Sequence, residues 1–71
     1  MHKCVVTNID KNEEYTFYDI SDKEGKVKDS CIDQAKRKYN ELKHDSKVMI
    51  THVYPDYKHS MIKTDLIESN I

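Results

Sequence analysis

The sequence predicts an α+β fold: a single small domain in the order ββαββ, with a four-stranded, mostly antiparallel sheet and one helix on one face. Three observations predict it. Ile32, Ala35, Tyr39 and Leu42 recur at the spacing of one face of a helix. The segment 47–54 then runs through β-branched, aromatic and apolar residues, as a strand does. Two strand-type segments precede the helix, and one more follows the segment 47–54.

The length and composition are those of one folded domain covering residues 1–71. The chain is 37% hydrophobic and 35% charged, and its apolar residues are patterned rather than sparse, which distinguishes it from a disordered chain. A core of this size supplies only about 3–5 kcal/mol of stability. We therefore expect additional support from self-association, and the chain is predicted to form a homo-oligomer.

The first half of the sheet is predicted as a hairpin. Residues 2–9 form the first strand, because they begin with apolar and β-branched residues. Residues 10–13 supply the turn, since Asp and Asn tolerate turn dihedral angles and bond their own backbone. Residues 15–20 are rich in aromatic and β-branched residues and form the second strand. Residues 21–28 contain the single glycine and are expected to form a connecting loop.

The helix is predicted to begin after Ser30 and to end near Lys43. Ser30 is a candidate N-cap with Asp33 three residues later, and Asp29 is an equal candidate. Lys43 suits the C-terminal end of the helix dipole. Three charged residues at i, i+4 steps are expected to form a ladder of ion pairs on the outer face: Asp33, Arg37 and Glu41.

The second half of the sheet is also predicted as a hairpin. Residues 47–54 form the third strand, and residues 54–57 form a tight turn in which Pro55 occupies the first corner position. Residues 58–67 form the fourth strand, and residues 68–71 are expected to fray.

A single helix covers only one face of such a sheet, so the other face is expected to be open. An apolar patch of this kind usually marks an interface. Homodimerisation through the open face or an edge strand is expected, and a partner protein could add to the edge in the same way. The exposed residues are expected from this set: Tyr15, Tyr18, Phe17, Met49, Val53 and Met61.

The charge balance disfavours two classes of binding protein. The net charge is −1, from 12 basic and 13 acidic residues whose signs are interleaved. Proteins that bind duplex nucleic acid usually carry a basic excess, and acidic mimics of DNA carry the opposite excess. No apolar run approaches the roughly 20 residues that span a bilayer. The sequence therefore predicts a soluble, intracellular protein with neither duplex nucleic acid nor a membrane as partner.

Cys4 and Cys31 are the two cysteines, and neither lies in a CxxC pair. A disulfide between them is geometrically possible, but no secretory signal peptide indicates an oxidising compartment. We expect two buried, reduced thiols that pack as small apolar groups. The one conceivable nucleophile would be Cys31 beside His44 or His52. Because Cys31 falls on or beside the core face, no catalytic site is predicted and the chain is expected not to be an enzyme.

The histidines do not predict a metal site. His2, His44, His52 and His59 form neither an HxH nor an HxxxH pair, which are common spacings of zinc ligands. His52 and His59 flank the predicted turn and are expected to face each other across the hairpin as exposed residues. With one glycine in the chain, a backbone loop that holds phosphate groups is not expected either. The prediction is therefore no metal and no cofactor.

Ligand binding by side chains remains open. A nucleotide-like molecule needs aromatic rings that stack on its base and cations that meet its phosphates. A structural alternative exists for several candidates, because Tyr39 suits the core, Arg37 suits the ion-pair ladder and Tyr57 suits the turn. The candidate ligand-binding residues are Tyr39, Arg37, Lys38, Tyr54, Tyr57, Lys58 and His52.

About half of the chain resembles a family of short phage proteins that is frequent in staphylococcal phages. The matching residues are Val6 and Thr7 in an opening strand, the helix segment 35–39 with the sequence AKRKY, and the apolar strand from Val48 to Tyr54. The chain departs from the family in a longer loop around Gly25 and in its last hairpin. The resemblance is therefore confined to the first strand, the helix and the third strand.

The resemblance implies a phage-type anti-defence protein that works in the host cell cytoplasm. Members of the family are implicated in blocking Thoeris, a bacterial defence system that signals with a cyclic ADP-ribose-type nucleotide. They sequester this signal in stoichiometric amounts, as a sponge. Tyr54, Tyr57 and Tyr39 would then stack on the base, and Arg37, Lys38 and Lys58 would meet the phosphates. Two alternatives are an inhibitor that occludes a host defence protein, such as a CRISPR effector, and a small nucleic-acid-binding regulatory module.

Overall fold

A computed structural model of the chain describes residues 2–71. The described part contains one helix and six strands in two sheets. This confirms the predicted α+β fold and adds a second, smaller sheet to it. The elements are β1 (Lys3–Asn8), β2 (Glu13–Tyr18), β3 (Ile20–Ser21), β4 (Val27–Asp29), α1 (Cys31–Leu42), β5 (Val48–Asp56) and β6 (Met61–Ser69).

The main sheet has the strand order β2-β1-β5-β6, and every neighbouring pair is antiparallel. Each hairpin contributes two adjacent strands, and β1 joins the hairpins by pairing with β5. In this register Cys4 lies opposite Phe17 on one side and opposite His52 on the other. Strands β2 and β6 are therefore the two edges of the sheet.

The core lies between α1 and the centre of the main sheet. Alternate residues of β1 and of the first three positions of β5 point toward the helix and are fully buried, as the two-residue period of a strand requires. From the helix, the residues one turn apart point back into the same space. The buried apolar residues are Cys4, Val6, Cys31, Ala35, Tyr39, Val48 and Ile50.

The helix begins and ends close to the predicted positions. Ser30 is the N-cap, and its hydroxyl oxygen accepts the backbone N–H of Asp33 at 3.1 Å. Lys43 is the C-cap, and its N–H donates to the carbonyl of Tyr39 at 2.9 Å. Within residues 2–71, no helix has the length and apolar character needed to cross a membrane.

The segment between β2 and the helix is more regular than the predicted loop. The second strand ends at Tyr18, and β3 and β4 then pair as a small hairpin. Asp22 organises its turn, because one carboxylate oxygen accepts the N–H groups of Glu24 and Lys26, each at 2.9 Å. Gly25 adopts a φ of 85°, which a residue without Cβ reaches at little cost.

The predicted turn at residues 54–57 is wrong. Strand β5 continues through Pro55 to Asp56, and the turn lies at residues 57–60, where Ser60 has a φ of 52°. Pairing between β1 and β5 ends at Val53, so one side of Pro55 has no neighbouring strand. Proline is tolerated there because no ladder hydrogen bond is required on that side.

The expectation that residues 68–71 fray is also wrong. Strand β6 continues through Ser69, and Asn70 then bonds three separate backbone groups. Its Oδ1 accepts the N–H of Val48 at 2.8 Å, and its Nδ2 donates to the carbonyls of Lys43 at 3.1 Å and Ser46 at 2.9 Å. The end of the chain is therefore fastened to the link between the helix and β5.

Candidate functional site

The seven residues predicted to bind a ligand do not form one site. Three of them lie on the helix, and four lie on the β5–β6 hairpin. The helical three are Tyr39, Arg37 and Lys38, and the hairpin four are His52, Tyr54, Tyr57 and Lys58.

On the helix, the ring of Tyr39 belongs to the core. This residue is 4% exposed, so its ring is not available to stack on a ligand at the surface. Lys38 has its ammonium 4.5 Å from the centre of the Tyr15 ring and 3.4 Å from Glu41. Tyr39 is therefore a core residue, which is the structural alternative given for it above.

Arg37 does not form the predicted ladder with Asp33 and Glu41. Its guanidinium instead bonds the carboxylate of Asp29 at 2.6 Å, at the end of β4. This ion pair raises the pKa of Arg37. The pair joins the helix to the small β3–β4 sheet, although its exposure limits what it adds to stability.

On the hairpin, His52 and Tyr54 lie beside each other on the helix side of the sheet. Their ring centres are 4.9 Å apart, and the ring of His2 stacks against both. The hydroxyl of Tyr54 donates to Asp65 at 2.7 Å, and this bond raises the pKa of Tyr54. These aromatic rings therefore border an acidic group rather than a cluster of cations.

The far end of the hairpin carries a shallow cavity of about 260 Å³. Tyr57 contributes to its lining and is 85% exposed. The cavity is lined by Pro55, Asp56, Tyr57, Ser60, Met61 and Ile62.

Asp56 at this cavity holds the hairpin turn together. Its carboxylate lies 2.7 Å from the imidazole of His59 and 3.3 Å from the ammonium of Lys63. The hydrogen bond from His59, helped by Lys63, lowers the pKa of Asp56. The predicted pairing of His52 with His59 is wrong, because His52 lies opposite Asp65 and His59 lies in the turn.

The open face of the sheet carries three of the six candidate residues: Tyr18, Met49 and Val53. Tyr15 and Phe17 pack against the core on the helix side, and the register places Met61 on that side as well. Threonines separate the apolar residues on the open face. The apolar residues that the register places there are Val5, Tyr18, Met49, Val53, Pro55, Ile62 and Leu66.

Cys4, Cys31 and His52 form a compact cluster at the junction of β1, β5 and the helix. The two Sγ atoms are 3.4 Å apart, and one ring nitrogen of His52 lies within 4.8 Å of both. Both cysteines are buried and free, and His52 is partly exposed. Of the two histidines considered as neighbours of Cys31, His52 is therefore the one that lies beside it.

Two further groups border this cluster. Nδ1 of His2 lies 3.2 Å from Nε2 of His52, at hydrogen-bond distance. A carboxylate oxygen of Asp19 accepts the backbone N–H of Cys31 at 2.7 Å, and this bond lowers the pKa of Asp19. Two thiols, two imidazoles and one carboxylate thus meet at one end of the core.

The environment of Cys31 does not activate it as a nucleophile. Burial, together with the hydrogen bonds to Cys4 and Asp19, raises the pKa of Cys31 to about 12. Burial also raises the pKa of Cys4. A nucleophilic cysteine requires the opposite shift, toward the thiolate. The helix N-terminus, which would favour the thiolate, is opposed here by the Asp19 carboxylate.

Sequence reasoning missed this cluster because its members come from three separate elements. Cys4 lies in β1, Cys31 in the first turn of α1 and His52 in β5, so no local spacing links them. The signal that could have found it is the pairing of the first and third strands. Once Cys4 is placed opposite His52, both side chains must point to the face that the helix covers.

The comparisons with known proteins find no similar chain: no family model matches this sequence, and neither a curated protein nor a solved structure is detectably similar to it. The class that the fold defines is therefore a small α+β domain with one helix on a four-stranded antiparallel sheet.

Proposed function

We propose that this chain is a non-enzymatic binding protein of the phage anti-defence type, which acts by holding its target in stoichiometric amounts. The observation that carries the binding role is the exposure of strand β6. The anti-defence class is what the family resemblance implies. Every residue of β6 from Met61 to Glu68 is exposed, and the second half of β5 is half-buried. Such a protein would act in the cytoplasm of the infected cell.

The open face supports binding to a large partner. It presents an apolar surface on four strands, and Ile62 and Leu66 are 66% and 63% exposed. Apolar side chains gathered on one exposed face, here with threonines between them, are a feature of interaction sites. Because β6 is also a nine-residue edge strand, its unpaired backbone groups favour pairing with another chain.

The first partner that we propose is a second copy of the chain, paired along β6. In an antiparallel register centred on Thr64, Lys63 would lie opposite Asp65 of the second copy, twice by symmetry. Ile62 would lie opposite Leu66 of the second copy on the open face. Opposite charges and apolar pairs at facing positions both stabilise a sheet. The strand is thus self-complementary in charge and in hydrophobicity.

A charge exchange tests this dimer. Lys63→Asp alone, or Asp65→Lys alone, would place like charges opposite each other, and each variant is expected to be a monomer by sedimentation equilibrium. The two single variants mixed together should form a heterodimer, because the opposite charges then face each other again. A mixture that remains monomeric, or single variants that remain dimeric, would contradict the register.

The first ligand that we propose is the one that the family resemblance implies, a cyclic ADP-ribose-type nucleotide. The hairpin supports this ligand, because it carries four of the seven predicted residues. Tyr57 offers an exposed ring beside the cavity, and Lys58 adjoins it in the turn. An exposed ring next to a cation is the combination that stacks on a base and meets a phosphate.

The second candidate is an inhibitor that occludes a host defence protein. The observation that favours it is the size and apolar character of the open face, which suits a protein surface better than a charged nucleotide. The hairpin also has equal numbers of cations and carboxylates around its end: Lys58, Lys63, Asp56 and Asp65. This balance gives no excess of positive charge for phosphates.

One assay separates the two candidates. The protein is added to a signal-activated defence enzyme of the Thoeris type, and the signal is then titrated. A sponge raises the amount of signal needed for activation by an amount equal to its own concentration of sites, and excess signal restores full activity. An inhibitor that binds the enzyme lowers the maximal activity whatever the signal concentration. Calorimetry against cyclic ADP-ribose isomers provides the direct check, and no binding of any isomer removes the sponge.

A further inference from the structure

We propose that Cys4, Cys31 and His52 form a binding site for a zinc-type divalent cation, with a water molecule as the fourth ligand. This inference rests on the thiol–imidazole cluster and is independent of the proposed function. The three ligand atoms lie within 4.8 Å of one another. They come from β1, the start of the helix and β5, so a bound cation would join three elements of the core.

The spacing of the two thiols is close to that of two sulfur ligands on one tetrahedral ion. With Zn–S bonds of about 2.3 Å, two sulfur ligands of one tetrahedral zinc ion are about 3.8 Å apart. The two Sγ atoms are 3.4 Å apart. Moving them about 0.4 Å further from each other would give the spacing of two sulfur ligands on one zinc ion.

The donor set selects the class of metal. Two thiolates and one imidazole favour zinc and other borderline or soft ions over magnesium or calcium, which prefer oxygen ligands. The nearby carboxylate of Asp19 adds a negative charge that attracts a cation. Its bond to the N–H of Cys31, at 2.7 Å, also fixes the backbone of one ligand. Outer groups of this kind commonly orient the ligands of a metal.

A cation also explains why two thiols and an imidazole meet at one place in so small a core. Apolar side chains of similar volume would fill the space beside Ala35 and Val6 without bringing these three titratable groups together. Zinc displaces the protons of thiol ligands and binds them as thiolates. Small domains frequently gain the stability that a small core lacks from such a structural ion.

Cobalt titration of the full, reduced chain tests the site. Co²⁺ should give thiolate-to-cobalt charge-transfer absorption and the visible bands of a tetrahedral ion, saturating at one equivalent per chain. Zn²⁺ should displace it, and Mg²⁺ should have no effect. Cys4→Ser and Cys31→Ser should each abolish the charge-transfer band or weaken it strongly.

Histidine variants keep the test decisive if a cysteine variant fails to fold. His52→Gln alters a partly exposed position and should lower zinc affinity by more than about 100-fold, because losing a direct ligand exceeds the effect of an outer group. His59→Gln is the matched control and should bind as the wild type does.

The result that overturns the proposal is equally direct. A reduced, folded wild-type chain that gives no thiolate-to-cobalt absorption has no such site. The proposal also fails if His52→Gln binds zinc as tightly as His59→Gln. A zinc-dependent rise in the melting temperature of the wild type, absent in His52→Gln, supports the proposal by an independent measurement.

Discussion

Asn70 bonds the start of β5 through its side chain: its Oδ1 accepts the backbone N–H of Val48 at 2.8 Å. The same side chain donates to the carbonyls of Lys43 and Ser46. Backbone groups at the end of a helix and at the start of a strand would otherwise lack partners. One residue next to the end of the chain therefore closes the link between α1 and β5.

Asn70→Ala should lower the free energy of unfolding by about 2 kcal/mol, because three hydrogen bonds of about 1 kcal/mol each are partly replaced by water. Urea denaturation measures this change. Asn40→Ala, at an exposed position of the helix, is the control and should be neutral or slightly stabilising. Equal stability of Asn70→Ala and the wild type would show that the end of the chain contributes nothing.

Ser30→Ala should destabilise the chain by about 1 kcal/mol, because it removes the acceptor of the Asp33 N–H at the helix N-cap. Ser30→Asp should retain most of the stability, since aspartate is also a favoured N-cap residue. Thermal unfolding followed by circular dichroism compares the two. The N-cap assignment fails if alanine and aspartate at position 30 give the same melting temperature.

Tyr39→Ala should leave the chain largely unfolded. Truncating a buried aromatic residue costs about 3–5 kcal/mol, which is similar to the total stability expected of a core this small. Tyr39→Phe keeps the ring and should change the free energy of unfolding by less than about 1 kcal/mol. Far-UV circular dichroism at room temperature distinguishes the two variants. A folded Tyr39→Ala chain would show that this ring is not needed in the core.

The pairing of Asp56 with His59 and Lys63 should make stability depend on pH. The pKa of Asp56 is lowered from 3.8 in the folded state, so its contribution is present above that value and is lost as pH falls through the folded pKa. Wild-type protein should therefore lose more stability than Asp56→Asn between about pH 5 and about pH 2.5. Glu24→Gln, in the β3–β4 turn, should follow the wild type.

Tyr57 and Arg37 should differ in their effect on nucleotide binding. If the hairpin binds the nucleotide, Tyr57→Ala should weaken binding by about 1–3 kcal/mol, the range for one base stacked on an aromatic ring. Arg37→Ala should leave it unchanged, because this residue pairs with Asp29 on the outer side of the helix. Calorimetry with both variants gives the comparison. A larger loss of affinity in Arg37→Ala than in Tyr57→Ala would place the binding surface on the helix instead of the hairpin.

Local patterns in the sequence determined the elements and much of the core. The helical spacing of Ala35 and Tyr39 and the N-cap at Ser30 depend on residues only a few positions apart, so they could be predicted. The course of the chain at Pro55 could not be predicted in this way. Proline is tolerated there because β1 ends before it. Whether a strand continues depends on its neighbours in the sheet, which a local pattern does not contain.

Tertiary structure alone decided which functional groups lie together. Strand pairing places Cys4 opposite His52, helix packing brings Cys31 to them, and the core takes Tyr39 away from the predicted ligand set. By itself, the sequence determined which groups the chain has and how each element presents them. The meeting of groups from different elements depends on strand register and on helix packing, which are long-range properties of the whole fold.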